Sequence, residues 1–375
     1  LARLLHSGHV AMEVWQVKLK ALSGGLTRIV DAYDSCSFTK RVNSAGAFAL
    51  NYAKRCDETL DAFTARCGEW VLDGQVEFWQ RDDALGIDWR KDFEGLVRWQ
   101  RWYVTADGTL KFEVGGRGYK DLLARRIIAS ASGTAHARWV AQPAETIMKD
   151  IVTYQVGASA GAGRVTTGLS VEADGGNGNT LTLQRAYKPV LDVLQEIASI
   201  GGGDFDIVGT GAATFEFRWY TGQLGTDRTA TVIFALERGN MAEPSLTIGR
   251  QDEVTAVLVG GQGEGAARAT VWRTDAARIA LSTWNRCEAF RDARDESTTA
   301  GLNARGDAEL EAGTPRAKLD FKILQTPGCA YGLHYFLGDL VTARFLDYEG
   351  TKKIVAVTVT VDESGSSKTM EMEDV

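Results

Sequence analysis

The 375-residue chain is long enough to bury a large core and to divide into roughly two to four domains, and its 44% hydrophobic and 24% charged residues are those of a globular protein. A formal charge of −7 with no basic run argues against a surface built to grip nucleic-acid phosphates, and no apolar run approaches the ~20 residues of a membrane-spanning helix. Five widely spread cysteines without a Cys-x-x-Cys pair read as free thiols of a protein made in a reducing cytoplasm, not as a disulfide framework.

Residues 1–11 lack the apolar core and cleavage site of a secretory signal and read as an N-terminal extension ahead of the fold. From Met12 to about Gly118 the pattern is strand and turn. Residues 15–22 alternate. Residues 35–52 write out a hairpin: Phe38 and Val42 share a face, the turn is Asn43-Ser44-Ala45-Gly46, and Phe48, Leu50 and Tyr52 share the face after it. Residues 69–81 carry Val71, Val76 and Phe78 around Asp73-Gly74, and a further hairpin crosses Ala106-Asp107-Gly108-Thr109. This strand density is that of a closed or nearly closed small barrel. The period then changes. Residues 119–128 predict a short helix. Residues 143–156 predict a clear one, with Ala144, Ile147, Met148, Ile151 and Val152 on one stripe. Residues 189–200 repeat the device, with Pro189 at the start and Gly201 as the stop. Strands at 205–208 and 215–220 follow, strands at 254–259 and 269–273 flank a glycine loop, and 299–312 reads as a helix ended by Gly313 and Pro315. The last segment alternates Val355, Val357, Val359 and Val361 with Ala356, Thr358 and Thr360, and pairs back across Ser364-Gly365-Ser366.

No constellation rises to a catalytic, cofactor or metal site. Gly261-Gln262-Gly263-Glu264-Gly265-Ala266 fits a dinucleotide fingerprint on paper, but a strand pattern follows it where a helix is needed, so a hairpin loop is the reading. Gly175-Gly176-Asn177-Gly178-Asn179 starts like one calcium-binding repeat and reads as a mobile loop; residues 157–163 read as another. Of four histidines, His6 and His9 precede the fold, His136 sits among small residues and His334 between strands. Asp204, Asp206, Asp82 and Asp83 read as solvated turn and strand-edge residues rather than paired acids of a glycosidase. Trp99 and Tyr103 fall on one strand face and Trp102 on the other, which favours packing over a stacking platform.

Several pieces taken in order carry a family likeness: the 35–52 hairpin; Gly118-Tyr119 leading to Leu122, Arg126 and Ile127; the helix from Pro189 with Leu191, Leu194 and Ile197; Arg286, Glu288, Phe290, Asp292 and Arg294; and Gly338-Asp339-Leu340-Val341 opening the closing hairpin. Together they resemble the tail-tip (baseplate) hub proteins of siphophages, related to the baseplate hub of contractile phages and to the amino-terminal hub part of tail-associated lysins. The glycine-rich region 157–178 departs from that pattern.

The resemblance implies a mainly β protein: two small β-barrel-like domains, 12–117 and 241–375, bracketing a mixed α+β insert at 118–240. It implies a non-enzymatic structural virion protein, a homotrimer at the tail tip, assembled in the host cytoplasm. Such a hub closes the tail tube, adapts its six-fold symmetry to three-fold tip structures, leaves a channel for DNA and serves host cell entry. Its implied partners are a distal tail or tail-tube protein, the tape-measure protein and a tail fibre or receptor-binding protein, with DNA only in transit. A hydrolase extension found in some relatives is expected to belong to another polypeptide, because the sequence runs to Val375 directly after its last hairpin. A lumen lined by acidic or neutral side chains is also expected. A carbohydrate-binding or carbohydrate-active β protein stays open as the alternative; it calls for an exposed aromatic patch beside polar groups, or for two facing carboxylates in a cleft.

Overall fold

A computed structural model describes residues 13–375 apart from 31, 32, 295, 297 and 316. Met12, the expected extension 1–11 and its two histidines lie outside the described residues. The chain forms two compact units: one is the chain up to Ala242 together with Lys322–Val375, the other is Glu243–Phe321.

The first unit begins with β1 (Glu13–Lys20), β2 (Leu26–Val30), β3 (Ser35–Arg41), β4 (Ala47–Ala53), α1 (Leu60–Gly68), β5 (Gln75–Asp82), β6 (Ile87–Val104) and β7 (Leu110–Gly118). It continues through α2 (Asp121–Ala124), β8 (Arg138–Pro143), α3 (Ala144–Gln155), β9 (Leu169–Val171), β10 (Thr180–Gln184), α4 (Val190–Gly201), β11 (Gly203–Gly211), β12 (Thr214–Thr221) and β13 (Ile233–Ala235). The excursion into the second unit takes in β14 (Met241–Thr247), β15 (Ala256–Gly260), β16 (Thr270–Thr274), α5 (Ala276–Ile279), β17 (Glu288–Asp292), α6 (Thr299–Ala312) and β18 (Lys318–Ile323), with β14 and β18 paired to each other. The chain ends with β19 (Leu340–Phe345), β20 (Tyr348–Asp362) and β21 (Gly365–Asp374).

The dominant sheet runs β13-β19-β20-β3-β4-β7-β6-β5-β1-β2, with β21 on the other edge of β20. It curls on itself. Phe38 on β3 lies 5.5 Å from Trp15 on β1, 4.9 Å from Phe78 on β5 and 5.3 Å from Phe93 on β6, all buried. Glu13 on β1 meets Ser366 and, at 2.7 Å, Lys368 on β21. Side chains thus bring β1 and β21 together, but no ladder joins them, so the hydrogen-bonded sheet does not close. The expected pair of barrels is therefore not what the sheet shows. The last strands build no barrel of their own; β20 pairs Ala356–Val361 against Arg41–Cys36 of β3 and extends the first sheet. For the same reason Lys322–Val375 groups with the first unit, while the second unit begins at Glu243, beside the expected boundary at 241. The free edge of β3 takes a strand from more than 300 residues away, and nothing local in either segment records the pairing.

Residues 118–240 pack around a core shared with Leu96 of β6, in which the predicted stripe of α3 (Ala144, Ile147, Met148, Ile151, Val152) meets Val190, Leu194 and Ile197 of α4. The sheet β11-β12-β9 and the pair β10-β8 complete this part. Gly201 is the last residue of α4, and Gly202 carries the left-handed φ of 73° that ends it. The helix expected at 119–128 is a single turn, because Ile127 leaves it to bridge Pro189.

In the second unit, β15 pairs antiparallel with β16 and parallel with β17. Helix α6 covers one face, burying Leu302 and Leu310 against Val257 and Val259. Its limits match the sequence reading, with Thr298 capping the Gly301 amide at 3.1 Å and Gly313 at the far end.

Candidate functional site

A charged site lies in the first unit, a cavity of about 220 Å³ whose wall includes Lys40, Lys91, Asp92, Glu94, Lys120 and Asp206. Lys40 projects from β3 and Asp92 from β6. The Lys40 ammonium donates to Asp92 Oδ1 at 2.8 Å and to the Tyr331 hydroxyl at 2.9 Å, and that hydroxyl donates to Asp92 Oδ1 at 2.8 Å. Burial works to raise the Asp92 carboxyl, but Lys40 and Arg90 outweigh it and hold the group below the usual carboxylate range. Burial pushes the Tyr331 phenol up to about 12, so it stays a proton donor at neutral pH. Across the cavity, Lys120 Nζ stands 2.6 Å from Asp206 Oδ1, Lys91 pairs with Glu94, and Glu94 Oε1 accepts the Gly209 amide at 2.7 Å. Each of these three cations has a carboxylate partner. A ligand would have to break a pair to gain one, so the arrangement suits a joint between β6 and β11 better than a reaction site.

Beside the cavity, the turn of the leading hairpin holds the joint. Asn43 takes a φ of 51°, which Asn tolerates better than most residues. Its side chain donates to Asp204 at 2.8 Å and accepts the Phe205 amide at 2.8 Å, while its carbonyl accepts from Gln195. Asp204 also receives Lys353 at 2.7 Å and the Leu224 amide at 2.7 Å. Sequence reading saw Asn43 as a turn residue only. Its grip on α4 and β11 leaves no sequence signal beyond the Asn itself.

The carboxylates expected to be solvated divide. Asp204 and Asp82 are buried, the latter accepting the Ala84 and Leu85 amides, whereas Asp83 is exposed and pairs with Arg81. Asp204 and Asp206 each hold a separate lysine and face no common cleft as a catalytic pair. His136 lies 2.9 Å from Asp150 Oδ1 and stacks on Tyr154; among the described residues its ring bonds to Asp150 alone, so no nucleophile completes a triad. The His334 ring accepts the Ala330 amide. Trp102 packs on Phe63 and Phe112, while Trp99 lies on the opposite face over Gly115, where a Cβ would come within 2.4 Å of the ring. A shallow groove of about 500 Å³ beside Trp99 is floored by Ser37, Thr39, Ala47 and Ala49.

The Gly261–Ala266 run is the loop of the β15–β16 hairpin, as expected. The loop at Gly175–Asn179, expected to be mobile, is instead tied down. Glu145 accepts from the Gly175 amide at 3.1 Å and from the Asn177 amide and side chain at 2.8 and 2.7 Å, and it pairs with Lys149. Burial raises this carboxyl, but Lys149 and those amides outweigh it and bring it down to about 2. The five cysteines are free, and burial pushes the Cys36 and Cys67 thiols up to about 12. No group of three potential metal-ligating side chains occurs among the described residues.

The sequence model of one family, described as Siphovirus ReqiPepy6 Gp37-like protein, matches residues 12–372. The fold is similar to that of the 43 kDa tail protein of prophage MuSo2 from Shewanella oneidensis, at 14% identity and a TM-score of 0.58, covering 96% of this chain and 98% of that one. It is equally similar to a tail protein from Neisseria meningitidis MC58, at 12% identity and a TM-score of 0.58, covering 96% of both chains. A chain of the lidded PdpA–VgrG complex of Francisella matches at 8% identity and a TM-score of 0.54, covering 96% of this chain and 52% of that one. At these identities the likeness is one of fold. Comparison with curated protein sequences gives no match.

Proposed function

The chain belongs to the Siphovirus ReqiPepy6 Gp37-like protein family, and from that premise we propose that this phage tail protein is the hub of the tail tip. The observation that carries the reading is the end-to-end likeness to the MuSo2 tail protein, 96% of one chain on 98% of the other. In this reading three copies form a ring that closes the tail tube, adapts its six-fold symmetry to three-fold tip structures and leaves a channel for DNA. Its neighbours are a distal tail or tail-tube protein, the tape-measure protein and a fibre or receptor-binding protein, and its place is the virion tail tip after assembly in the host cytoplasm. The role is structural. The cavity that would have to host chemistry has its lysines and carboxylates already paired, which supports a non-enzymatic protein.

Native mass spectrometry of the purified chain tests the ring. The expected species is three times the 40.7 kDa chain mass, burying several thousand Å² per copy as obligate oligomers do. A monomer that persists at micromolar concentration, also in the presence of tail-tube protein, would count against it.

A further inference from the structure

Asn43 in the β3–β4 turn, Asp204 on β11 and Lys353 on β20 come together from three distant parts of the first unit. The Val42 amide donates to the Val355 carbonyl at 2.9 Å, so the turn runs alongside the stretch of β20 that carries Lys353. One oxygen of the buried Asp204, Oδ1, accepts from Asn43 Nδ2 at 2.8 Å and from Lys353 Nζ at 2.9 Å. Its Oδ2 takes the same ammonium at 2.7 Å and the Leu224 amide at 2.7 Å. The side-chain carbonyl of Asn43 accepts the Phe205 amide at 2.8 Å.

The three side chains and the amide fill the parts of an amide exchange. Lys353 supplies an amine as nucleophile. Asp204 touches both reacting nitrogens and can carry a proton between them. The Phe205 N–H already points at the oxygen on which charge develops when the Asn43 carbonyl is attacked. Both nitrogens stand on one carboxylate oxygen, and the flexible four-carbon stem of lysine covers the remaining approach to Asn43 Cγ.

We propose that Lys353 and Asn43 become joined by an intramolecular isopeptide bond formed through Asp204. Asp204 takes a proton from the Lys353 ammonium, and the freed amine attacks Asn43 Cγ. The Nζ–Cγ bond forms while the carbonyl electron pair moves onto Oδ1, held by the Phe205 amide. As the carbonyl re-forms, the Cγ–Nδ2 bond breaks and Asp204 delivers its proton to Nδ2, which departs as ammonia. The second proton released from Nζ leaves with it as ammonium. Nothing is oxidised or reduced, and no co-reactant is consumed. The event occurs once per chain and turns over no substrate, so it is independent of the hub reading. It would staple the β3–β4 turn to β20 in a chain whose five cysteines are free. Glycine and alanine at position 43 lose the link alike.

A second group of the same residue types marks the difference. Glu145 joins Lys149 and Asn177, but through opposite oxygens. Lys149 also donates to Glu172 and to the Ala173 carbonyl, whereas the Lys353 ammonium has Asp204 as its only partner among the described residues. No donor among the described residues meets the Asn177 side-chain carbonyl. The link is therefore expected at the first group alone.

The test is the intact mass of the purified, denatured full chain, followed by tryptic peptide mapping. The expected mass is about 17 Da below that of the sequence, one ammonia lost. The expected map holds a branched peptide joining residues 42–54 to residues 353–368, with Lys353 uncut. Lys353→Arg keeps a cation beside Asp204 but offers no amine, and Asp204→Asn offers no base; both should show the full sequence mass, with thermal melts to check that they fold. Wild-type protein at full sequence mass overturns the proposal whatever the variants do. So does ammonia loss without the branched peptide, as from a succinimide, or a link between Lys149 and Asn177 instead. A loss of about 18 Da with Lys353 joined to Asp204 also overturns it and makes the acid the electrophile. A link that persists in Asp204→Asn overturns the role given to Asp204.

Discussion

At the residue scale, the side chains that hold the insert onto the curled sheet are polar groups taken out of water and matched one by one. Asn43 shows why such matching escapes a sequence reading: an Asn in a hairpin turn is expected for its backbone alone, and its partners Asp204 and Phe205 lie some 160 residues away. Replacing it separates the two roles. Asn43→Gly keeps the positive φ and loses the side-chain bonds, for about 1–2 kcal/mol; Asn43→Ala also strains the backbone, adding about 1 kcal/mol. Equal melting temperatures for the two variants would refute the backbone part. Glu145 gives the matching pH prediction. Its folded-state pKa of about 2 lies below its ordinary value of 4.5, so its contribution is fully present above pH 4.5 and is lost as the pH falls toward 2. Melts between those limits should show a smaller acid loss in Glu145→Gln than in wild type; parallel curves would exclude the role.

At the element scale, what could be read locally was read well, and what depends on distant partners was not. Helix α6 falls where its stop at Gly313 placed it, and the stripes of α3 and α4 are their buried faces. Helix α1 left too faint a pattern: only Phe63 and Cys67 are buried along it, and its clearest signal is Thr59 capping the Ala62 amide. Period-two alternation gave the faces of β20 but not its neighbour. Val359 stands opposite Phe38, fully buried, while Thr358 points to the other face, where its hydroxyl meets Thr39 at 2.8 Å. The two adjacent positions should therefore respond very differently to one charge. Val359→Asp buries a carboxylate without a partner and should cost about 3–5 kcal/mol; Thr358→Asp should cost about 1 kcal/mol, the value of the lost hydrogen bond. Denaturant midpoints that shift equally would contradict the face assignment.

At the scale of the whole molecule, the feature a linear reading could not supply is that the first and last strands belong to one sheet. Alternation in residues 35–52 and again in 355–361 suggests two β regions equally whether they form two barrels or one curled sheet, because each strand needs an apolar face inward in both cases. Only the ladder from Cys36–Arg41 to Ala356–Val361 decides between them. The candidate site was hidden for the same reason: Lys40, Asp92 and Tyr331 become neighbours only once β3, β6 and the segment before β19 are assembled.

In the proposed hub role, function at this scale turns on DNA. A tail hub must let the genome pass its inner wall without holding it, and each lysine or arginine that contacts a phosphate adds to retention. The chain has 49 acidic and 42 basic residues, and many of the basic ones are engaged by carboxylates: Lys40, Lys120, Arg228 and Lys353 in the first unit, and Arg268, Arg273 and Arg278 in the second. A cation already paired has little to gain from a phosphate, and the acidic excess repels the duplex at distances up to about a Debye length, ~8 Å at physiological salt. We therefore expect the purified protein to leave duplex DNA unshifted in gel retardation at about 0.15 M salt, with at most weak retention at low salt that added salt removes steeply. Binding that survives about 0.2 M salt would require a run of unpaired cations on the protein surface, and would be incompatible with the proposed role as a passive conduit.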